Sequence, residues 1–337
     1  MKSGVFVTGG TGFIGGALLS RITDGSGWVK ALARSRTGGE TVAGLGALPV
    51  IGDLFDTDAL REGMDGCGLV YHVAGVNQMC PTYAAEMYRS NVEGTRNVIA
   101  MAADAGVDRV VYTSSAATIG EVHGTVGDEG SPHRGTYLSD YEQSKHEAET
   151  VAMETAAELG VDLVMVNPSS VQGPGRATGS ARLLLYPLTR RFPLLVSTHL
   201  SVLDIDDCVA GHLLAADRGD SGRRYLLNGA TLTTGEAVAL LADLIGSWRL
   251  PIPIPRFVAG SLGMSLARVA ASRPDPLLCP AMVRTLLHGH RYDGSLATRD
   301  LGLEYTPIRR TLDRTIRWLV DFGFAYKKLP GYPKLSA

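Results

Sequence analysis

A glycine-rich loop near the N-terminus constrains the fold of this chain more than any other feature. It lies between an apolar run at residues 5–7 and a segment of helical spacing at residues 13–22. The loop reads Thr8-Gly9-Gly10-Thr11-Gly12-Phe13-Ile14-Gly15. Gly9 permits a tight turn, Gly12 lets the backbone approach a phosphate, and Gly15 lets the helix pack on the strand. Because a helix N-terminus attracts anions, the sequence predicts a βαβ unit that binds a dinucleotide pyrophosphate.

Short apolar segments alternate with segments of helical spacing through the first half of the chain. We predict strands at 5–7, 29–33, 48–51, 69–73, 109–113 and 163–166. We predict helices at 13–22, 58–64, 87–105 and 140–159. Short apolar strands separated by helices are typical of a parallel sheet that is covered on both faces. The pattern therefore predicts an α/β chain with a Rossmann-type, doubly wound parallel sheet.

The second half of the chain is interrupted by prolines and has a looser pattern. A chain of 337 residues exceeds what one hydrophobic core usually organises. We expect a dinucleotide-binding domain over 1–170 and a smaller, mainly substrate-binding α+β domain over 171–337. A strand at 201–205 and a helix at 206–216 are predicted to return segment 200–217 to the larger domain.

The end of the second predicted strand indicates which dinucleotide is bound. An NAD enzyme generally has a carboxylate there for the ribose 2′-hydroxyl, whereas an arginine accommodates a 2′-phosphate. This chain has Arg34, Ser35 and Arg36, with no carboxylate before Glu40. Two guanidinium groups and a hydroxyl can bind a phosphate. The sequence therefore favours NADP(H), the alternative being that both arginines are ordinary surface charges.

Tyr141 and Lys145 are four residues apart on a predicted helix, so both side chains point to one face. A free phenol has a pKa near 10 and is a poor proton donor or base at neutral pH. A nearby ammonium and a cationic nicotinamide stabilise the phenolate and lower that pKa. Tyr141 is therefore a candidate for proton exchange with a substrate oxygen during hydride transfer. This spacing alone occurs by chance in many helices, so the prediction depends on what surrounds it.

Hydroxyl groups follow the fifth and sixth predicted strands, at the sheet edge where ligands of open α/β folds bind. The fifth strand runs into Thr113, Ser114 and Ser115. Ser115 is predicted to hydrogen-bond the substrate oxygen that Tyr141 protonates, with Ser114 as the competing candidate. The alternative is that both serines only satisfy backbone groups. Backbone groups at residues 168–171, after the sixth strand, are expected to receive a nicotinamide carboxamide.

Taken together, these motifs resemble those of the extended short-chain dehydrogenase/reductases, over nearly the whole chain. Further matching segments are Gly52-Asp53-Leu54, His72-Val73-Ala74-Gly75, Asn91-Val92-Glu93-Gly94-Thr95 and Asn167-Pro168. The resemblance implies that Ser115, Tyr141 and Lys145 form the catalytic set. It implies that Asp53 bonds the adenine amino group and that residues 73–75 line the ribose. The full set of expected cofactor-binding residues is Thr8, Gly9, Thr11, Gly12, Phe13, Ile14, Gly15, Arg34, Ser35, Arg36, Asp53, Leu54, Val73, Ala74, Gly75, Asn91, Thr113, Ser114, Tyr141, Lys145, Pro168, Ser169, Ser170 and Val171.

Within that family, segments 87–91, 206–212 and 300–303 are similar to the branch of dihydroflavonol reductases and 3β-hydroxysteroid dehydrogenases. Members that act on nucleotide sugars usually carry an arginine for the diphosphate where this chain has Leu200. Their later Arg-Pro-Gly-Asp is replaced here by His290-Arg291-Tyr292-Asp293. We therefore expect reduction of a ketone or aldehyde of a mostly apolar small molecule, or oxidation of the alcohol. Stretches 183–195 and 252–264 suit an apolar pocket, or alternatively the core of the smaller domain.

Two other functions stay open. One is a nucleotide-sugar epimerase or dehydratase with tightly bound NAD, and the other is a cofactor-binding regulator without catalytic activity. The resemblance also implies a homodimer formed through helices 87–105 and 140–159.

Composition excludes some classes of partner. The net charge is −2 with both signs interspersed, so no basic face for nucleic acid is expected. The four cysteines have no metal-ligand spacing and are expected to be free thiols in a reducing cytoplasm. No targeting peptide or transmembrane span is expected, although a membrane-touching amphipathic helix within 257–271 stays open. His72 is predicted to be a structural hydrogen-bonder and His123 a solvated loop residue.

Overall fold

The computed structural model describes residues 4–25, 27–80, 84–189, 193–246, 252–270, 279–325 and 331–332. The strands are β1 (Gly4–Thr8), β2 (Val29–Ala33), β3 (Leu48–Ile51), β4 (Cys67–His72), β5 (Arg109–Thr113), β6 (Leu163–Pro168), β7 (Ser170–Gln172), β8 (Leu194–Val196), β9 (His199–Asp204), β10 (Arg224–Leu227), β11 (Ala230–Thr233) and β12 (Ile252–Ile254). The α-helices are α1 (Phe13–Ile22), α2 (Arg36–Gly44), α3 (Thr57–Met64), α4 (Ala84–Tyr88), α5 (Gly94–Asp104), α6 (Asp140–Leu159), α7 (Ala181–Thr189), α8 (Ile205–Arg218), α9 (Thr234–Ile245), α10 (Arg256–Val258), α11 (Met264–Ala270), α12 (Pro280–His288) and α13 (Ile308–Asp321). Single π or 3₁₀ turns cover Arg89–Glu93, Ala116–Ile119, Ala259–Gly263 and Ala297–Leu301.

Seven of these strands form one parallel sheet in the order β3-β2-β1-β4-β5-β6-β10. The order in which the chain adds strands to the sheet reverses between β1 and β4. The connections after these two strands therefore lead in opposite directions and leave a crevice at their carboxyl ends. Phe6 and Val7 are both fully buried although they point to opposite faces. The predicted doubly wound fold is therefore confirmed.

A separate apolar core covers each face of the sheet. One core packs Val7 and Leu18 of the β1–α1 unit against Leu203 and Cys208 from the second half of the chain. The other packs Phe6 and Val98 against Ala148 on α6. The predicted strand at 201–205 and helix at 206–216 are found at β9 and α8. The proposed division near residue 170 stays a prediction.

Local sequence explains why α6 forms where it was predicted and why α2 was not predicted. Ser139 caps α6 by accepting the Glu142 N–H at 3.1 Å, and the helix ends at left-handed Gly160. Helix α2 contains two glycines in its first turn, which lower helix propensity. It forms nonetheless because Ser35 caps it and Val42 is fully buried beneath it.

The cysteines correct one expectation. Cys80 and Cys279 form a disulfide, whereas Cys67 and Cys208 are buried thiols outside that disulfide. The expectation of a free thiol was wrong for both Cys80 and Cys279. These cysteines are 199 residues apart in the sequence, so their spacing did not indicate a disulfide. The fold places the loop after β4 against the start of α12, with the two Cα atoms 5.9 Å apart.

The elements outside the large sheet form a second packed region. Strands β7, β9 and β11 make a small mixed sheet. Helices α7, α9 and α13 bury Leu188, Ile245 and Ile316 against one another. Within the described ranges, no helix combines the length and apolar character needed to cross a membrane.

Candidate active site

The loop after β1 has a shape that only glycines allow. Gly9 has a φ of +77°, and a Cβ on it would lie 2.6 Å from the Ala74 backbone nitrogen. A Cβ on Gly15 would lie 2.1 Å from the Gly9 carbonyl oxygen. The Gly12 N–H donates to that same carbonyl at 2.9 Å, and Gly12 is the N-cap of α1. The loop is thus a cradle that side chains would fill, which fits the close approach of a pyrophosphate.

A buried hydrogen-bond chain holds the carboxyl ends of β1 and β4 together. His72 Nδ1 lies 2.7 Å from Thr8 Oγ1, and His72 Nε2 lies 3.0 Å from Thr95 Oγ1. The Ala74 N–H donates to Thr8 Oγ1 at 3.2 Å, which fixes the start of the predicted ribose-lining segment. Burial lowers the pKa of His72 to about 3, so the imidazole is neutral. The predicted structural role of His72 is confirmed.

The predicted adenine end is open to solvent. Arg34, Ser35 and Arg36 follow β2 and are all exposed. The Ser35 hydroxyl accepts the Gly38 N–H at 3.1 Å and so caps α2 in addition to any contact with a phosphate. Asp53 accepts the N–H groups of Phe55 and Asp56, at 2.7 and 3.1 Å, which holds its carboxylate at the end of β3. Neighbouring Leu54 is buried beneath this turn.

Asn91 lies in a π turn and connects the loop after β4 to α6. Its side-chain amide donates to the Val76 carbonyl and to Ser144 Oγ, both at 3.0 Å, while its Oδ1 accepts the Val76 N–H at 2.7 Å. A Cβ on Gly75 would lie 3.3 Å from Asn91 Oδ1 and 3.8 Å from Lys145 Nζ. The predicted ribose segment and the predicted catalytic lysine are therefore neighbours. Helical π turns are frequent at functional sites.

The two adjacent serines after β5 have different partners. Ser114 Oγ donates to Glu149 Oε2 at 2.5 Å, and that carboxylate also accepts from Thr118, Asn167 and Arg224. Ser115 Oγ instead accepts the Ala117 N–H at 3.3 Å and is a neighbour of Tyr141. Burial raises the pKa of Tyr141, and the nearby Ser115 hydroxyl lowers it. The geometry therefore favours Ser115 over Ser114 for the catalytic role, which the sequence left open.

A second cation acts on Tyr141 beside the expected lysine. Burial raises the pKa of Tyr141, and the nearby Arg176 guanidinium lowers it. Lys145 Nζ donates to Thr113 O at 2.7 Å and to the Tyr112 hydroxyl at 3.0 Å. Burial lowers the pKa of Lys145 to about 8. That Lys145 acts directly on the phenol stays a prediction.

Arg176 is the residue that the sequence interpretation missed. Its guanidinium donates to the Val171 carbonyl at 3.0 Å and to Ser180 Oγ at 2.5 Å, and it stacks on the Phe13 ring at 4.4 Å. Its Nε is buried with no partner. Arg176 thus joins the glycine loop to Tyr141. The signal in the sequence was its position directly after Gly173-Pro174-Gly175, a turn that follows a strand at the ligand-binding edge.

The ends of β6 and β7 complete this edge. The Ser169 N–H donates to Leu227 O at 2.9 Å, whereas Ser169 Oγ is buried without a partner. Pro168 ends β6, and Ser170 and Val171 begin β7. The orphaned Ser169 hydroxyl and Arg176 Nε are what a polar ligand at this edge would satisfy. Together with the glycine cradle, they fit a bound nicotinamide dinucleotide.

The stretches suggested for an apolar substrate pocket contain both buried and exposed residues. Leu184 and Leu188 are buried in the α7–α9–α13 core, which is the alternative that the sequence left open. Phe257 and Leu262 are 77% and 56% exposed on the surface.

His123, predicted to be solvated, is exposed, although its Nδ1 also lies 2.8 Å from the His288 carbonyl.

Comparison with known proteins assigns the class to which this chain belongs. The model of the NAD dependent epimerase/dehydratase family matches residues 5–227. A Synechocystis sp. protein, provisionally named a dihydroflavonol 4-reductase, is 36% identical over 332 residues and 95% of each chain. The sterol demethylase protein B of Methylococcus capsulatus is 32% identical, over 94% of this chain and 98% of the relative. A farnesyl-quinoline-oxide ketoreductase of Stigmatella aurantiaca is 32% identical, over 91% and 90%.

Solved structures agree on the fold. The crystal structure of gox2253 superposes with a TM-score of 0.83 at 26% identity, covering 96% of this chain and all of that one. The dTDP-glucose 4,6-dehydratase of Streptomyces venezuelae, solved with NAD bound, gives 0.76 at 23% identity over 95% and 98%. The protein belongs to the NAD dependent epimerase/dehydratase family, and its resemblance to extended short-chain dehydrogenase/reductases is confirmed. The relatives at full length include reductases, which supports an oxidoreductase at the level of the family.

Proposed function

We propose that this protein is an NADP(H)-dependent oxidoreductase that reduces a ketone or aldehyde of a mostly apolar small molecule, or oxidises the corresponding alcohol. The observation that carries the proposal is that Ser115 and Tyr141 are neighbours at the same edge of the parallel sheet as the glycine cradle. Ser114 is bound to Glu149, so the two serines have separate tasks. The names of the Methylococcus and Stigmatella relatives, a sterol demethylase protein and a ketoreductase, support substrates of this kind.

The side chains can perform the proton half of such a reaction. Tyr141 and Ser115 hydroxyls together hydrogen-bond a carbonyl oxygen, and Tyr141 donates its proton as that oxygen gains charge. Arg176 stabilises the phenolate that remains. The dinucleotide, when bound, supplies the hydride. Lys145, held by Thr113 and Tyr112, keeps an ammonium group beside Gly75, where the ribose is expected.

The preference for the phosphorylated cofactor rests on Arg34 and Arg36. Both are exposed where β2 ends, and the sequence has no carboxylate from Arg34 to the residue before Glu40 that would repel a 2′-phosphate. A cytoplasmic location and a homodimer through α5 and α6 stay predictions. Size-exclusion chromatography with light scattering tests the dimer, and a monomeric mass would remove it.

A paired cofactor and substrate assay tests the proposed function. Purified protein is titrated with NADPH and NADH, and turnover is then followed on a panel of apolar ketones, aldehydes and nucleotide sugars. We expect tighter binding of NADPH and oxidation of free NADPH by apolar carbonyl compounds. Tightly retained NAD with epimerisation or dehydration of a nucleotide sugar would overturn the proposal in favour of the epimerase alternative. Cofactor binding without turnover on any compound would favour a regulator.

A further inference from the structure

A buried cluster outside the Ser115–Tyr141 pair brings together a carboxylate and two imidazoles. Glu121 Oε1 lies 2.7 Å from His290 Nδ1 and 3.2 Å from His288 Nε2. The three ligand atoms all lie within 4.8 Å of one another. The side chains of Glu121 and His288 are 1% and 6% exposed, and that of His290 is 17% exposed. The proposed oxidoreductase chemistry uses none of these groups.

The backbone on both sides of this cluster is fixed before any ligand arrives. Gly289 is left-handed, with φ +70°, and turns the chain so that the histidines on either side of it converge on Glu121. A Cβ on Gly289 would lie 2.6 Å from Thr198 Oγ1, so the turn is also tightly packed. Two backbone hydrogen bonds, each 2.9 Å long, join Gly127 to residues 291 and 293 and hold this segment against the loop that carries Glu121.

The polar groups of the cluster are not fully satisfied by one another. Glu121 Oε2 is buried and has no hydrogen-bond partner. His290 Nδ1 faces two oxygens, Glu121 Oε1 at 2.7 Å and the Tyr292 hydroxyl at 2.9 Å, and a single N–H cannot serve both well. A carboxylate with an unused oxygen and two imidazoles is a donor set for a cation.

We propose that Glu121, His288 and His290 form a divalent transition-metal site, best suited to Zn²⁺, which clasps the loop after β5 to the segment after α12. Two imidazole nitrogens and one carboxylate oxygen match the donors that zinc takes, whereas Mg²⁺ and Ca²⁺ prefer oxygen alone. Zinc bonds of about 2.0–2.2 Å place tetrahedral donors roughly 3.4 Å apart. The separations of 2.7 and 3.2 Å from Glu121 Oε1 to the two histidine nitrogens would therefore widen by about 0.7 and 0.2 Å when the ion binds. One water, or the Tyr292 hydroxyl, completes four ligands.

The charge balance and the access route are consistent with this assignment. One carboxylate and two neutral imidazoles leave the bound ion with a net charge of about +1. The partly exposed ring of His290 offers a path for entry from solvent. The site goes beyond the proposed function and does not depend on it, because proton transfer by Tyr141 needs no metal.

Metal content and thermal stability test the site. The protein is stripped with a chelator, without thiol reductants that would open Cys80–Cys279, and is then titrated with Zn²⁺ against a chromophoric chelator. We expect about one Zn²⁺ per chain, a higher melting temperature with the ion, and an affinity lowered about 100-fold or more in Glu121→Gln and in His290→Asn. Co²⁺ is expected to give the visible absorption of nitrogen and oxygen ligands.

A second histidine pair provides the matched control. The rings of His133 and His146 lie 4.5 Å apart, and His133→Asn is expected to bind Zn²⁺ as wild type does. Circular dichroism checks that each variant is folded, and His288→Asn provides a third variant if Glu121→Gln is not. The proposal is overturned if folded wild-type protein retains no Zn²⁺, or if Glu121→Gln and His290→Asn retain as much as wild type. The cluster would then be a hydrogen-bonded clasp only.

Discussion

The loop after β1 and the loops after β5 and β6 lie at the same edge of the sheet but are held by different forces. The first is shaped by the absence of side chains, because a Cβ on Gly9 or Gly15 would enter the space of neighbouring backbone atoms. The others are held by buried polar side chains around Glu149, which accepts from four partners. The cofactor end of the site is therefore determined by local backbone geometry, whereas the catalytic end is determined by contacts between residues distant in the sequence.

The largest expected effect is a difference in kcat between substitutions of the two adjacent serines. Ser115→Ala removes a donor to the substrate oxygen and should lower kcat by about 10²–10³-fold. Ser114→Ala is the matched control, since it has the same chemistry one residue away but contacts Glu149. Its kcat should stay within a fewfold of wild type, while its melting temperature falls. Steady-state kinetics on the same carbonyl substrate gives kcat for both variants. Equal losses of kcat would contradict the assignment of Ser115 as the catalytic serine.

The network behind the catalytic edge should contribute to stability more than to chemistry. Glu149→Gln leaves Arg224 without its buried counter-charge and should lower the free energy of unfolding by about 3 kcal/mol. Glu154→Gln, at an exposed position on the same helix, should change it by less than about 0.5 kcal/mol. Urea denaturation followed by circular dichroism measures both. A Glu149→Gln protein as stable as the Glu154→Gln protein would show that the network is not what holds this edge.

Arg176 links the two regions and should set the pH dependence of the reaction. In reduction the protonated phenol is active, so the rate falls as pH rises through the pKa of Tyr141. Arg176 lowers that pKa, and Arg176→Leu should therefore move the fall to higher pH. Arg176→Lys keeps the charge and should stay near the wild-type profile. A profile of kcat against pH that is the same in all three proteins would remove Arg176 from the electrostatics of Tyr141.

The smallest effect is expected at the exposed adenine end. Arg34→Ala should weaken NADPH binding about fivefold, because an exposed charge contact contributes little more than about 1 kcal/mol. NADH binding should be unchanged, since NADH lacks the 2′-phosphate. Fluorescence titration of both cofactors gives the ratio. Equal affinities for NADPH and NADH in wild type and variant would contradict the cofactor preference.

These differences also explain how much the sequence could predict. The glycine loop, the strands of the large sheet and α6 depend on local patterns, and α6 begins and ends at the predicted residues. Arg176, the partners of the two serines and the Cys80–Cys279 disulfide depend on contacts across many residues, which spacing does not encode. Helix α2 was missed because its cap and one buried valine outweigh its glycines. The suggested apolar pocket stays a prediction for a related reason, since apolar composition does not distinguish a core from a binding surface.

The central claim is that Tyr141 transfers the proton in an NADPH-dependent reduction. The most direct test is the single-turnover rate of NADPH oxidation by an active carbonyl substrate in wild type and Tyr141→Phe, with NADPH affinity measured on the same samples. We predict a rate lowered by about 10³-fold with unchanged NADPH affinity, because only the hydroxyl is lost. Full turnover in a folded Tyr141→Phe protein that binds NADPH normally would contradict the account.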